Sequence, residues 1–306
     1  MTHTLFVGNS RIDVIFEAGY TRLPVDELLR WVQAAAESVR GYYGRFPVAH
    51  VSLHIKEFHG AGVRHGMTYG AENGGRINMR VGLDTSAKQF ADDWILTHEM
   101  IHLAFPQMSD DHHWIEEGIA TYVEPIARIR AGQLTPEQMW ADVMRDMPQG
   151  LPEAGDRGLD HTHTWGRKYW GGAMFCLLAD VGIRRETKNA KGLEDALRGI
   201  LEAGGDIRRS WELTEALRVG DHATGTHVLE NLYDEMKDKP APVDLNALWT
   251  DLGVGHSGEK VKLDDTAKDA AIRRRITGEP RKNGSYLEER PVTVFAGRTA
   301  GRPTFL

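Results

Sequence analysis

The chain has 306 residues, 41% of them hydrophobic and 26% charged, enough to build a substantial core in one large domain or two closely packed ones. With 44 acidic against 37 basic residues, the formal charge of −7 argues against nucleic acid or an anionic membrane as a partner and leaves a small molecule or a peptide. The single cysteine, Cys176, excludes an internal disulfide and a thiolate zinc site, so any metal must be held by histidine and carboxylate.

No basic segment followed by a long apolar core opens the chain, and no stretch approaches the roughly 20 apolar residues that span a bilayer. A soluble protein is expected, either cytoplasmic or exported with a signal peptide absent from this sequence. THTLFVG and RIDVIFEAG, the second with Ile12, Val14 and Phe16 two apart, read as a strand pair turning near Gly8-Asn9. Val25, Leu28, Leu29, Val32 and Ala36 then carry a helical period between Pro24 and Gly44. VAHVSLHIKEF reads as a third strand, followed by a glycine-rich loop and a strand GRINMRVG with Ile77, Met79 and Val81 on one side. From Ser86, which forms a capping box with Gln89, one helix is predicted through Phe105, where Pro106 stops it. After the polar loop QMSDDH, a second helix, HWIEEGIATYVEPIARIRAG, sets Ile115, Ile119, Tyr122, Ile126 and Ile129 in one stripe. Further helices are expected near 136–147, 164–181, 192–203, 210–218 and 225–237. The fold class is α+β, divided into a strand-containing subdomain 1–108, a helical subdomain 109–277 and a tail 278–306 that reads as poorly ordered.

The chemistry concentrates in THEMIHLAF. At about 100° per residue, with His98 at zero, His102 falls near 40° and Glu99 near 100°, so three polar groups share a sector bordered by Trp94, Ile101, Leu96 and Leu103. Two imidazoles one turn apart can present nitrogens to one divalent ion, and the glutamate between them can reach water at the metal without ligating it. On the second helix Glu117 faces away from the apolar stripe, next to Gly118, a residue that permits close helix approach. If the two helices pack antiparallel, Glu117 can complete a His, His, Glu set with one position left for water, the open arrangement of catalytic sites. Glu116 is the rival ligand, and His112 and His113 read as loop or rim residues.

HEMIH followed by WIEEGIATYVE resembles the gluzincin metallopeptidases, whose third ligand is the Glu of a W-[LI]-x-E-G segment. Among them it resembles the glycyl aminopeptidase family and, more distantly, the alanyl aminopeptidase and leukotriene hydrolase family. The resemblance implies a thermolysin-like gluzincin catalytic fold, in which a small mixed sheet and the active-site helix precede a mainly helical subdomain. It also implies one zinc ion per chain on His98, His102 and Glu117, with Glu99 as the base. The separation between His102 and Glu117 is shorter than usual in those families. Glu124, seven after the third ligand, matches an acidic position that can support the ligands from behind, or is an ordinary surface acid. KYWGGAMFCLLADVGIRRET resembles the Y-x-K-G-A segment of the same families, with Tyr169 stabilising the tetrahedral intermediate and Gly171 replacing the lysine; the alternative is a tyrosine capping an apolar helix. YGAENGGRINMRVG is similar to their G-x-M-E-N stretch, which ends on an edge strand, with Glu72 in place of the carboxylate that binds a substrate amine; the family methionine is missing, and E-N-G-G is also good turn chemistry. In DHTHTWGRK, His161 and His163 are candidates to face the cleft, His163 being the one assigned to substrate, and Arg167 and Lys168 are similarly placed. Cys176 lies in an apolar run and reads as core. The expected activity is zinc-dependent hydrolysis of a peptide or protein substrate by an aminopeptidase. The alternatives are an endopeptidase on the same scaffold and a zinc-binding protein without catalysis.

Overall fold

The computed structural model of the chain describes residues 1–257 and 260–278. β1 (Thr2–Val7) and β2 (Ser10–Phe16) form the expected antiparallel hairpin, whose turn uses Gly8 at φ 60°, a conformation that costs glycine little. α1 (Val25–Tyr43) carries the chain back so that β3 (His50–Phe58) pairs parallel to β2, and Gly44 ends this helix in the left-handed region. β4 (Val63–Ala71) and β5 (Gly74–Gly82) form a second antiparallel hairpin, with β5 inserted parallel to β3. The mixed sheet therefore has the order β1-β2-β3-β5-β4, with β4 at an edge. Ile12, Val14 and Phe16 of β2, Val51, Leu53 and Ile55 of β3, and Ile77, Met79 and Val81 of β5 are all buried, as the period-2 alternation requires.

Two expectations change here. The glycine-rich loop before GRINMRVG is largely strand β4. Its alternate positions Gly66, Thr68 and Gly70 face the protein instead of apolar side chains, which is why no alternation announced it. The single helix predicted from Ser86 to Phe105 is two, α2 (Ala87–Asp92) and α3 (Ile95–His102). The capping box of Ser86 and Gln89 is present, but Asp93 is extended and its Oδ2 accepts from Leu96 N at 3.1 Å and Trp31 Nε1 at 3.0 Å. An aspartate that satisfies the first amides of the next helix competes with continuing the previous one.

The remainder is mainly helical: α4 (His113–Arg130), α5 (Pro136–Asp146), a π-helical turn Arg167–Gly171 running into α6 (Gly172–Glu186), α7 (Leu193–Glu202), α8 (Leu213–Thr224) and α9 (Val228–Met236). α10 (Leu245–Leu252), the hairpin of β6 (Val254–Ser257) with β7 (Lys260–Leu263), and α11 (Ala270–Thr277) follow. The stripe Ile115, Ile119, Tyr122, Ile126 and Ile129 is buried throughout, and Tyr122 donates to Asp180 Oδ2 at 2.9 Å, linking α4 to α6. Residues 279–306, nearly all of the expected tail, lie outside the described residues. Among the described residues, no helix is long and apolar enough to cross a membrane.

Candidate active site

α3 lies against β4 and β5 and packs on α4, to which a short connection joins it. That connection is pinned at Gln107, whose N donates to Arg209 O at 2.8 Å and whose side chain donates to Ile207 O at 2.6 Å. The packing brings His98, His102 and Glu117 together. Glu117 Oε2 is 3.1 Å from His98 Nε2 and 3.7 Å from His102 Nε2, and one ligand atom from each residue falls within 4.8 Å of the others. Burial, and then the neighbouring His98, push the His102 imidazole down to about 3, so it is neutral with a free lone pair. Burial raises the Glu117 carboxyl, but hydrogen bonds from His113 and His98 and the neighbouring imidazoles outweigh it and hold the group well below the usual carboxylate range. Two neutral-capable imidazole nitrogens and one ionised carboxylate oxygen, converging in a buried place, are a donor set suited to zinc. The residues fit the ion the fold implies.

Glu99 sits beside this set and is held from the sheet. Thr68 of β4 donates to Glu99 Oε2 at 2.6 Å, leaving Oε1 without that restraint. Gly66, two residues earlier, makes room for the carboxylate: a Cβ there would lie 2.6 Å from Glu99 Oε1 and 2.7 Å from its Cδ. Burial raises the Glu99 carboxyl above its ordinary value, against the opposing pull of the Thr68 hydrogen bond. Neither Thr68 nor Gly66 was singled out from the sequence. The available signal was Gly66, Thr68 and Gly70 at every second position, small residues along one face of a strand that another element must approach closely.

Tyr169 comes from the π-helical turn, a feature frequent at functional sites because it re-aims side chains within a helix. Its ring stacks on His98, with centroids 6.3 Å apart at 21°, and on the exposed Trp165 at 5.4 Å and 25°. Trp94, also exposed, meets the His98 ring edge-on at 5.6 Å. Burial, then the negative charge of Glu117, push the Tyr169 hydroxyl up to about 12, so it remains a donor at neutral pH. The crossing that sets this geometry is backbone on backbone. A Cβ on Gly118 would collide with the Gly172 backbone, and one on Gly172 would lie 2.7 Å from Gly118 Cα. Gly118 thus serves the approach of α6, which continues the turn that carries Tyr169, rather than the approach of α3 expected from the sequence. Gly118→Ala should destabilise the protein by about 1–3 kcal/mol, the usual cost of overpacking where the neighbour is backbone. Urea denaturation checks this, and an unchanged midpoint would mean the crossing can open freely.

The other candidates are distributed as follows. Glu116, the rival ligand, turns its Oε2 to His113 Nδ1 at 2.8 Å. His113 is the first residue of α4, and its Nε2 lies 3.2 Å from Glu117 Oε1; the two carboxylates raise its imidazole to about 9. It therefore belongs to the helix start, partly exposed, rather than to the preceding loop. Glu124 is buried and accepts from Arg128 Nη1 at 3.1 Å, so it is not a surface acid; burial, against the pull of Arg128, pushes it up to about 7. Glu72 lies in the β4–β5 turn, exposed, four residues or roughly 13 Å of extended chain beyond Thr68. The strand that follows it, β5, is interior, and the edge strand is the one before it. His163 is exposed with Nε2 3.8 Å from Asp111 Oδ1, and His161 bonds Asp238 at 3.0 Å. The structure gathers none of Glu72, His161 and His163 to the ligand set. Arg167 is buried in an ion pair with Asp156 at 2.7 Å, which leaves Lys168 the more accessible of that pair, and Cys176 is core.

By sequence, no family model and no curated protein matches the chain. By structure it is similar to an aminopeptidase N family protein from Idiomarina loihiensis, with a TM-score of 0.62 at 12% identity over 83% of this chain and 49% of that one. A two-domain M1 zinc metallopeptidase bound to L-arginine gives 0.51 at 17% identity, over 79% and 54%. An M1 zinc metallopeptidase from Deinococcus radiodurans gives 0.50 at 17%, over 78% and 52%. Over the matched residues the chain shares the fold of these M1 zinc metallopeptidase structures. It spans about half the length of these structures, and the likeness in fold agrees with the thermolysin-like α+β architecture expected from its sequence.

Proposed function

We propose that the chain is a zinc-dependent peptidase, and in particular an aminopeptidase. The observation that carries this reading is the convergence of His98 Nε2, His102 Nε2 and Glu117 Oε2 beside a glutamate whose carboxylate is held by Thr68. Zinc on those three residues would acidify a water and polarise the scissile carbonyl. Glu99 takes the proton of the attacking water and delivers it to the leaving amine; a carboxyl raised by burial is better suited to that exchange than a fully solvated one. The Tyr169 hydroxyl donates to the oxygen on which negative charge develops. Trp94 and Trp165, exposed on either side of His98 and Tyr169, give the approach to the site apolar walls.

The aminopeptidase form of the reading is supported by the similarity to an aminopeptidase N family protein. A second reading, an endopeptidase, is favoured by the position of Glu72, because the carboxylate assigned to a substrate amine is in an exposed turn away from Glu99. One experiment addresses both. The purified chain should take up one zinc ion and cleave a short peptide with a free amino terminus, and acetylation of that terminus should block cleavage. Equal cleavage of free and acetylated peptides makes it an endopeptidase, and no zinc uptake removes the proposal altogether.

A further inference from the structure

The two oxygens of Glu117 have different neighbours. Oε2 faces His98 and His102, whereas Oε1 lies 3.2 Å from Nε2 of His113, whose Nδ1 is in turn 2.8 Å from Glu116 Oε2. We propose that His113 is a positioning residue that fixes Glu117 with a single oxygen toward the metal and thereby sets the zinc affinity of the site. The inference rests on the reading of His98, His102 and Glu117 as zinc ligands.

The geometry follows from the helix. His113 opens α4, so Glu116 at i+3 and Glu117 at i+4 lie on its own face, within reach of one ring. Nδ1 bonds Glu116 and Nε2 lies within ion-pair distance of Glu117, and turning the ring over would sacrifice both contacts at once. Held at Oε1, the Glu117 side chain loses rotational freedom before the ion arrives, so less ordering remains to oppose binding. The same contact disfavours a two-oxygen grip on the ion, because Oε1 would have to leave His113. Groups that hold metal ligands from outside in this way typically contribute about 10–100-fold in metal affinity. The His113 side chain is 41% exposed, so its removal opens no buried cavity, and a loss of zinc need not be a loss of fold.

The test compares zinc dissociation constants of the whole chain, measured on metal-free protein by competition with a chelator, for wild type, His113→Ala, His113→Gln and His113→Asn. A glutamine amide nitrogen can stand near the place of Nε2 and an asparagine nitrogen near that of Nδ1. We expect His113→Ala to bind zinc about 10–100-fold more weakly, His113→Gln to recover most of the loss, His113→Asn to behave like the alanine variant, and the melting temperature of the metal-free protein to stay the same in all four. Wild-type zinc affinity in His113→Ala overturns the inference, as does recovery by Asn equal to that by Gln. Weaker binding that follows a lowered melting temperature of the metal-free variants also overturns it, since His113 would then support the helix start. A wild type that takes up no zinc overturns the functional reading as well, and is distinguished by that result alone.

Discussion

Glu99→Gln is expected to leave zinc bound and to cut hydrolysis by about 10²–10⁴-fold, the contribution of a positioned general base. The substitution conserves shape, and the amide oxygen can still accept from the Thr68 hydroxyl that holds Oε2 in the wild type. The room left by Gly66 is likewise unaffected. What disappears is the ability to hold a proton, so the loss should fall on kcat with little change in zinc content. Metal analysis and peptide turnover on the same preparation check the two halves separately. If Glu99→Gln loses zinc as readily as His98→Ala, Glu99 is a ligand or a structural residue and its role as a base is withdrawn.

His98, Glu99 and His102 were legible in the sequence because their relation is local, one turn of one helix. Glu117 was legible because only a short connection separates its helix from theirs. What held these groups in place was less visible. Thr68 and Gly66 belong to β4, a strand whose protein-facing positions are Gly, Thr and Gly. No local pattern marks it as a strand, because its identity comes from pairing with β5 and from contact with α3. Asp93 falls inside the single helix predicted from Ser86 to Phe105, and only its carboxylate bonds to Leu96 and Trp31 show that it ends one helix and starts another. Glu124 reads equally as a support behind the ligands or as a surface acid, because the apolar stripe marks only one buried face of its helix. α4 packs against α1 and α3 as well as α6, so its second face is buried too, and Arg128 partners the acid there. His113 reads as a loop or rim residue, although four residues before Glu117 is the spacing at which helical side chains meet.

Tyr169→Phe should lower turnover by about 10²–10³-fold with little change in KM, the usual consequence of removing one donor to a developing oxyanion. The ring should stay where it is, because stacking on both Trp165 and His98 fixes it independently of the hydroxyl. The crossing of Gly118 with Gly172 keeps the turn that carries it close to Glu117. The hydroxyl, raised to about 12 by burial and then by the Glu117 charge, stays protonated across the neutral range, so it can donate without a competing ionisation. Phenylalanine retains the stacking area and lacks only the donor, which separates the chemical role from packing. Steady-state kinetics on a free-amine peptide, with zinc content measured alongside, decide between them. An unchanged rate would make Tyr169 a packing residue between Trp165 and His98, and oxyanion stabilisation would then have to come from another group in the cleft.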